Sequence, residues 1–285
     1  MLVQESTKDT PPAARKRSAP VIRLTKKTVK RVIPFALAGY FIPWVLVGYL
    51  ACGLLDVSRN TRRNFSTLVQ YFSGNGVFTW LLSPFNLMID LISLPYWNKR
   101  RYRLEELPEA HRREIQFLID TVRQRDLIAE LSAKLEHTKR AMIFFKWYGK
   151  NLPASVNVPE FHQQYAYIRT IGVSMFSARQ STGLHYGPLR LMLRVLYNLK
   201  TTDDPGVYIQ VGEHTHRWRD DNLFIFDDTL QHLSCNNSDA SRYCLFVDIL
   251  RPSAIPWVLS AIVSGVRLII LPLRHIFYRN WSVLR

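Results

Sequence analysis

The hydrophobic rhythm of the chain changes three times. From Val32 to Leu55, VIPFALAGYFIPWVLVGYLACGLL runs for 24 residues without a charge, and ~20 apolar residues suffice to cross a bilayer as a helix. Two further apolar stretches are 76-GVFTWLLSPFNLMIDLISLPY-96, interrupted by Pro84 and Asp90, and 255-IPWVLSAIVSGVRLIILPL-273, with Arg267 inside it. Between them, residues 104–140 carry Ile115, Leu118, Ile119 and Val122, then Leu127, Ile128, Leu131 and Leu135, at helical spacing. That pattern predicts two amphipathic helices or one bent one. From about Tyr165 the texture becomes short runs rich in β-branched and aromatic residues: YIRTIGVSMFS, LMLRVLYNL, VYIQVG, NLFIFDD and RYCLFVDIL, separated by turn residues. Strands so spaced predict a β-sandwich or barrel.

These shifts divide the chain into four parts. Residues 1–31 form a disordered basic tail, and 32–97 a membrane-anchoring region with a helix over 32–55 and the second apolar segment over 76–96. Residues 98–252 hold the helical lead-in and the β-domain, and 253–285 an apolar, basic C-terminal membrane-associated segment. Charge sharpens the picture at the ends. The formal net charge is +16, and residues 1–33 carry nine Lys/Arg against Glu5 and Asp9. Basic ends suit nucleic acid or an anionic lipid surface. The neighbouring apolar runs decide for the bilayer as partner, with no nucleic acid. Arg59, Arg62 and Arg63 are fewer than the basic residues before Val32, which predicts a hairpin with its N-terminus inside and the β-domain on the cytoplasmic side. Cys52, Cys235 and Cys244 form no disulfide framework, in keeping with a reducing compartment.

The candidate chemistry lies in the strands. His232 follows NLFIFDD, and His185 stands 47 residues earlier in GLHYGPLR. In a double-stranded barrel this separation can bring both imidazoles to one mouth, where a pair suits Fe(II) and leaves positions open. A chance pair of structural histidines fits the same spacing. Arg242 in RYCLFVDIL and Arg194 in LMLRVLYNL occur in strands with little other charge. An arginine inside a barrel needs an anion. A small dicarboxylate would serve through forked hydrogen bonds, and so would an ion pair with Asp227, Asp228 or Asp248.

Five ordered elements, HYGP, LRVLYNL, IFDDTLQH, Arg242 ten residues after His232, and DILRP, resemble the aspartyl/asparaginyl β-hydroxylase family of Fe(II)- and 2-oxoglutarate-dependent oxygenases. The resemblance covers Ser174–Pro252. It implies a mainly β catalytic domain, a double-stranded β-helix (jelly-roll) barrel, preceded here by amphipathic helices and an N-terminal membrane helix or hairpin. It implies iron on His185 and His232, and the distal carboxylate of 2-oxoglutarate on Arg242 and Ser174. Arg194 would reach the carboxylate nearer the metal, and Trp218, Asp227 and Asp228 would be structural. The implied activity is that of an oxidoreductase, a dioxygenase that uses O2 and 2-oxoglutarate to hydroxylate a C–H bond.

Two positions depart from the pattern. Gly187 stands where many iron oxygenases place a carboxylate; as in some family members, water is then implied as the third ligand. Leu196 replaces a histidine that often assists the cosubstrate, leaving that task to Arg194 or to another residue such as Tyr197. Upstream, SPFNLMIDLISLPY, LEELP and FFKWYG are similar to bacterial membrane-bound members that hydroxylate lipid A acyl chains or ornithine lipids. That likeness implies lipid modification at the bacterial inner membrane, on an acyl chain of a membrane lipid. Two other functions stay open: a membrane-anchored peptidyl aspartyl or asparaginyl hydroxylase, and a non-catalytic β-barrel that binds an anion.

Overall fold

The computed structural model describes residues 37, 39–135, 138–272 and 281–284. The basic tail expected over 1–31, and residues 32–36 of the first apolar run, lie outside them. The chain divides into two compact units, Met1–Leu50 and Ala51–Arg285. In the first, helical residues up to Phe41 are followed by a break at Ile42, and helix α1 (Pro43–Val57) then begins. Pro43 has no N–H to continue a preceding helical ladder but is well suited to open a new one. The uncharged run is therefore not one continuous helix.

The second unit contains helices α2 (Phe65–Ser73), α3 (Val77–Leu81) and α4 (Ser83–Ile92). Pro84 starts α4, so the expected second span is cut in two. Its polar residues face protein: the Asn86 side chain donates to the Pro188 carbonyl at 3.1 Å and accepts from the Arg190 N–H at 3.0 Å. Asp90 pairs with Arg190 and with Arg251, both at 2.6 Å. Among the described residues no helix is long and apolar enough to cross a membrane. This corrects the expected N-terminal membrane helix or hairpin. The bilayer partner and the inner-membrane localisation argued from those spans are overturned with it.

Strand β1 (Arg101–Tyr102) leads into α5 (Glu109–Gln124) and α6 (Leu127–Leu135). On α5 the residues at helical spacing, Ile115, Leu118, Ile119 and Val122, are buried. They share one core cluster with Val173, Val195 and Val247 of the strands that follow. The strands are β2 (Arg140–Trp147), β3 (Lys150–Asn151), β4 (Ile168–Phe176) and β5 (Gln180–Ser181). The short helix α7 (Pro159–His162) lies between β3 and β4. Then come β6 (Met192–Asn198), β7 (Val207–Val211), β8 (His214–Arg217), β9 (Leu223–Phe226), β10 (His232–Asn236) and β11 (Arg242–Leu250). Helix α8 (Pro256–Ile270) and strand β12 (Ser282–Leu284) end the described chain. Leu259 and Val263 of α8 are buried with Leu191, Met192 and Leu250.

Eight strands form one sheet, in the order β1-β9-β6-β11-β4-β2-β12 with β3 beside β2. Four form another, β5-β10-β7-β8. A second apolar cluster joins Leu196, Cys244 and Phe246 of the large sheet to Val207 and Ile209 of the small one. The closed jelly-roll barrel is thus corrected to a mixed α/β fold with two open sheets. The reason lies at the edges. β1 pairs with β9 through Arg101 and Phe226, and β12 pairs in parallel with β2. Both flanks of the long ladder are thereby occupied by segments from outside the central strands, and among the described residues no ladder runs on into the small sheet.

Candidate functional site

His185 and His232 stand directly opposite one another. Their backbones form an isolated antiparallel bridge, with both N–H···O distances 2.9 Å. The two imidazole rings lie 4.1 Å apart between centroids. Each Nδ1 meets a carbonyl two residues back in its own chain at 2.8 Å, that of Gly183 for His185 and that of Leu230 for His232. With Nδ1–H donating, each Nε2 keeps its lone pair, the form that ligates a metal. Burial holds both rings below the usual imidazole range, and for His232 the neighbouring His185 adds to it. Among the described residues no group of three or more His, Cys, Asp or Glu is placed to hold a metal.

Next to the pair is the space that glycine leaves open. A Cβ on Gly187 would lie 2.6 Å from Cγ, Oδ1 and Oδ2 of Asp228. The Asp228 carboxyl therefore stands where a side chain at 187 would begin. It is held by Arg194 Nη2 at 2.7 Å, while Arg194 Nε donates to Asp248 at 2.6 Å. Burial pushes the Asp228 carboxyl up to about 7, against the pull of Arg194 and with the help of Asp248. Arg194 also lies 4.0 Å over the Phe246 ring. It is thus engaged by two carboxylates, the ion-pair arrangement its sequence context left open. Asp227 makes different contacts. Burial alone would raise it, but Arg59, Arg190 and Arg251 hold it well below the usual carboxylate range.

Arg242 is 6% exposed. Its Nη2 donates to Ser234 Oγ at 2.9 Å, and its Nε and Nη1 have no hydrogen-bond partner among the described residues. The rings of Phe176 and Trp218 flank the guanidinium at 4.8 and 5.3 Å. Leaving such donors buried and unpaired is costly, so the guanidinium has the character of an anion-binding group. Ser174 lies on the facing strand opposite Cys244, and its hydroxyl donates to the Cys244 carbonyl at 3.3 Å. Ser234 ties the two halves together, because it follows His232 by two residues on β10 and so shares its face.

Two contributors, Ser234 and Tyr148, were missed in the sequence. Ser234 was legible from its parity with His232. Asp228 was read as structural or as an ion-pair partner, and that its carboxyl fills the space at Gly187 carried no local signal. Tyr148, within FFKWYG, is held above the usual phenol range by burial and by the charges of Asp248 and Asp228. Tyr197 does not stand in for the missing histidine. It packs with the helix-side cluster and accepts a hydrogen bond from Arg123 at 2.9 Å, while Leu196 faces the inter-sheet cluster.

Comparison with known proteins gives distant matches. Residues 112–252, just under half of the chain, match the family model described as aspartyl/asparaginyl beta-hydroxylase. The ornithine lipid ester-linked acyl 2-hydroxylase of Rhizobium tropici is 28% identical over 108 residues, which are 38% of this chain and 38% of that protein. The chain thus spans well under half the length of that relative. Among solved structures, a 2OG-Fe(II) oxygenase family oxidoreductase from Burkholderia pseudomallei is 16% identical with a TM-score of 0.30, over 45% of this chain and 78% of that one. The viral collagen prolyl hydroxylase of Paramecium Bursaria Chlorella virus-1 is 12% identical with a TM-score of 0.25, over 29% and 59%.

Proposed function

We propose that the chain is an Fe(II)- and 2-oxoglutarate-dependent hydroxylase that inserts oxygen into a C–H bond, and that the bond belongs to an acyl chain. The observation that carries the reading is the buried guanidinium of Arg242, with two donors unpaired, tied through Ser234 to the strand that bears His232. His185 and His232 would hold the iron through Nε2, their Nδ1–H groups fixing both rings. Arg242 would grip the distal carboxylate of 2-oxoglutarate by a forked pair of bonds, with Ser174 alongside. Phe176 and Trp218 would keep water from that slot. Asp228, filling the space at Gly187 and held by Arg194, would present an acceptor to whatever occupies the third side of the metal.

When bound, iron supplies the redox chemistry: O2 and 2-oxoglutarate become succinate and carbon dioxide, and the second oxygen atom enters the C–H bond as hydroxyl. The protein's share is to aim and to exclude water. The acyl-chain assignment draws support from the relative in Rhizobium tropici, whose name gives that substrate class for that protein.

The test is turnover. Purified full chain with Fe(II), 2-oxoglutarate, O2 and acyl lipids in detergent should release succinate and yield lipid with one added oxygen atom. Succinate released only with a peptide would remove the acyl chain from the reading. No succinate with any acceptor would overturn the hydroxylase.

A further inference from the structure

Each candidate ligand closes a short turn on itself. The Gly183 carbonyl meets His185 Nδ1 across Leu184, and the Leu230 carbonyl meets His232 Nδ1 across Gln231. The conformation at the middle residue therefore sets where each ring points. Both middle residues are gripped by side chains from the helical segment upstream of the residues that the family model matches. The Leu184 carbonyl accepts from Gln70 Nε2 at 2.8 Å and from Asn75 Nδ2 at 2.5 Å. The Gln231 N–H donates to Asn60 Oδ1 at 2.8 Å, and Gln231 Nε2 donates to Gln70 Oε1. Thr79 Oγ1 donates to the Gly187 carbonyl at 3.0 Å. Of these residues Gln70 reaches both turns, giving a hydrogen bond to one and accepting one from the other. An amide side chain has the donor and the acceptor for both at once.

The aim of Gln70 is set by α2. Asn64 caps the helix, its side chain accepting from the Thr67 N–H at 2.8 Å. Thr67, Gln70 and Tyr71 then share one helical face, and that face packs on the β-domain. Thr67 and Tyr71 are buried, the Thr67 carbonyl accepts from the Tyr186 hydroxyl at 3.4 Å, and the Tyr71 and Tyr186 rings meet edge-on at 5.6 Å. Phe65, Leu68 and Val69 are exposed on the other side. The amide is thus delivered to the two turns by a packed helix rather than by a loop. On β10, alternation puts the Gln231 side chain on the face away from the His232 ring, so Gln70 braces the backbone bridge between the histidines from behind.

We infer that Gln70 is a positioning residue of the histidine pair: by bonding to Leu184 and Gln231 together, it holds both rings in the Nδ1–H tautomer with each Nε2 lone pair free. The pair's role toward iron rests on the hydroxylase reading, whereas the tautomers do not. The test is nitrogen NMR of the metal-free full chain with isotope-labelled histidine, at a pH where both rings are neutral. His185→Ala and His232→Ala assign the signals. The parent should show the Nδ1–H form at both positions. In Gln70→Leu, which keeps the side chain's bulk, both rings should shift toward the Nε2–H form that a free imidazole prefers. Gln70→Glu keeps an acceptor for Gln231 and loses the donor to Leu184, so His185 alone should shift. Co(II) titration reads the same change as affinity, and Gln70→Leu should bind about ten- to a hundredfold more weakly than the parent. Asn86→Ala is the control for ordinary stability, because it cuts two bonds farther along the same segment, at Pro188 and Arg190. It should lower the urea midpoint and leave both tautomers and the Co(II) affinity unchanged. Unchanged tautomers in Gln70→Leu, or equal shifts in Asn86→Ala, overturn the inference. If the parent binds no Co(II) while the tautomers shift as stated, the positioning stands and the metal reading falls.

Discussion

Gly187 shows how a single residue can be legible in type and opaque in reason. The sequence presents it as a missing carboxylate, whereas the fold needs the missing Cβ because the Asp228 carboxyl already fills that space. Restoring a side chain would add both overlap and a like charge. Gly187→Asp should cost about 3 kcal/mol in urea denaturation, and most of the loss should return in Gly187→Asp/Asp228→Gly; a single variant as stable as the parent would contradict the packing argument. Arg242 was picked out differently, by the family resemblance that places an arginine ten residues after the second histidine. Arg242→Ala should raise the 2-oxoglutarate concentration for half-saturation at least ~30-fold, in line with losing one partner of a buried ionic contact. An unchanged requirement in a binding titration would take the cosubstrate away from this residue. Tyr197 marks a lesson in parity. It is one residue out of phase with Leu196 on β6, and that alternation alone put it on the other face.

At the scale of elements, the second apolar run, through Asp90, and the segment before it, from Asp56 to Tyr71, are held to the β-domain by buried polar contacts. Arg190 is 1% exposed and meets Asp56, Asp90 at 2.6 Å and Asp227 at 3.4 Å. Arg59 pairs with Asp227 at 2.8 Å, and the Tyr71 hydroxyl donates to Asp56 at 2.6 Å. Three acids and three arginines, with Arg251 the third, balance one another, and of the six only Asp90 and Arg59 are partly exposed. Asp90 interrupts its apolar run for this reason, and its partners lie 100 and more residues away, beyond any local pattern. Arg190→Ala would leave buried carboxylates uncompensated, at a cost of ~3–5 kcal/mol. The urea midpoint should fall accordingly, and residues 51–92 should become more sensitive to limited proteolysis. A midpoint equal to the parent's would show that the network does not hold these helices. The stripe on α5, by contrast, was legible because burial there repeats every third or fourth residue.

Over the whole molecule, β-strand content was readable from short apolar runs, while closure was not, since it depends on what covers the sheet edges. The acid side of the stability profile has an identifiable contributor. His111 of α5 is buried, its Nε2 meets the Leu250 carbonyl at 3.0 Å and its Nδ1 has no hydrogen-bond partner among the described residues. Burial depresses it to about 4, against the bond to Leu250. A depressed folded-state value means that the unfolded chain takes up the proton first. The contribution is therefore complete above about pH 6.5 and is lost as pH falls toward about 4, on the order of 3 kcal/mol. Thermal denaturation between pH 7 and 4 should show a shallower slope in His111→Phe than in the parent. Equal slopes would contradict this assignment.

The paired imidazoles and the arginine slot meet in one observable. Fe(II) chelated by a 2-keto acid absorbs visible light by charge transfer, so the full chain can be titrated with Fe(II) and then 2-oxoglutarate without oxygen. The band should saturate with 2-oxoglutarate in the parent, vanish in His185→Ala and in His232→Ala, and need far more 2-oxoglutarate in Arg242→Ala. A parent without the band, or a band that survives loss of both histidines, would contradict the two-histidine centre.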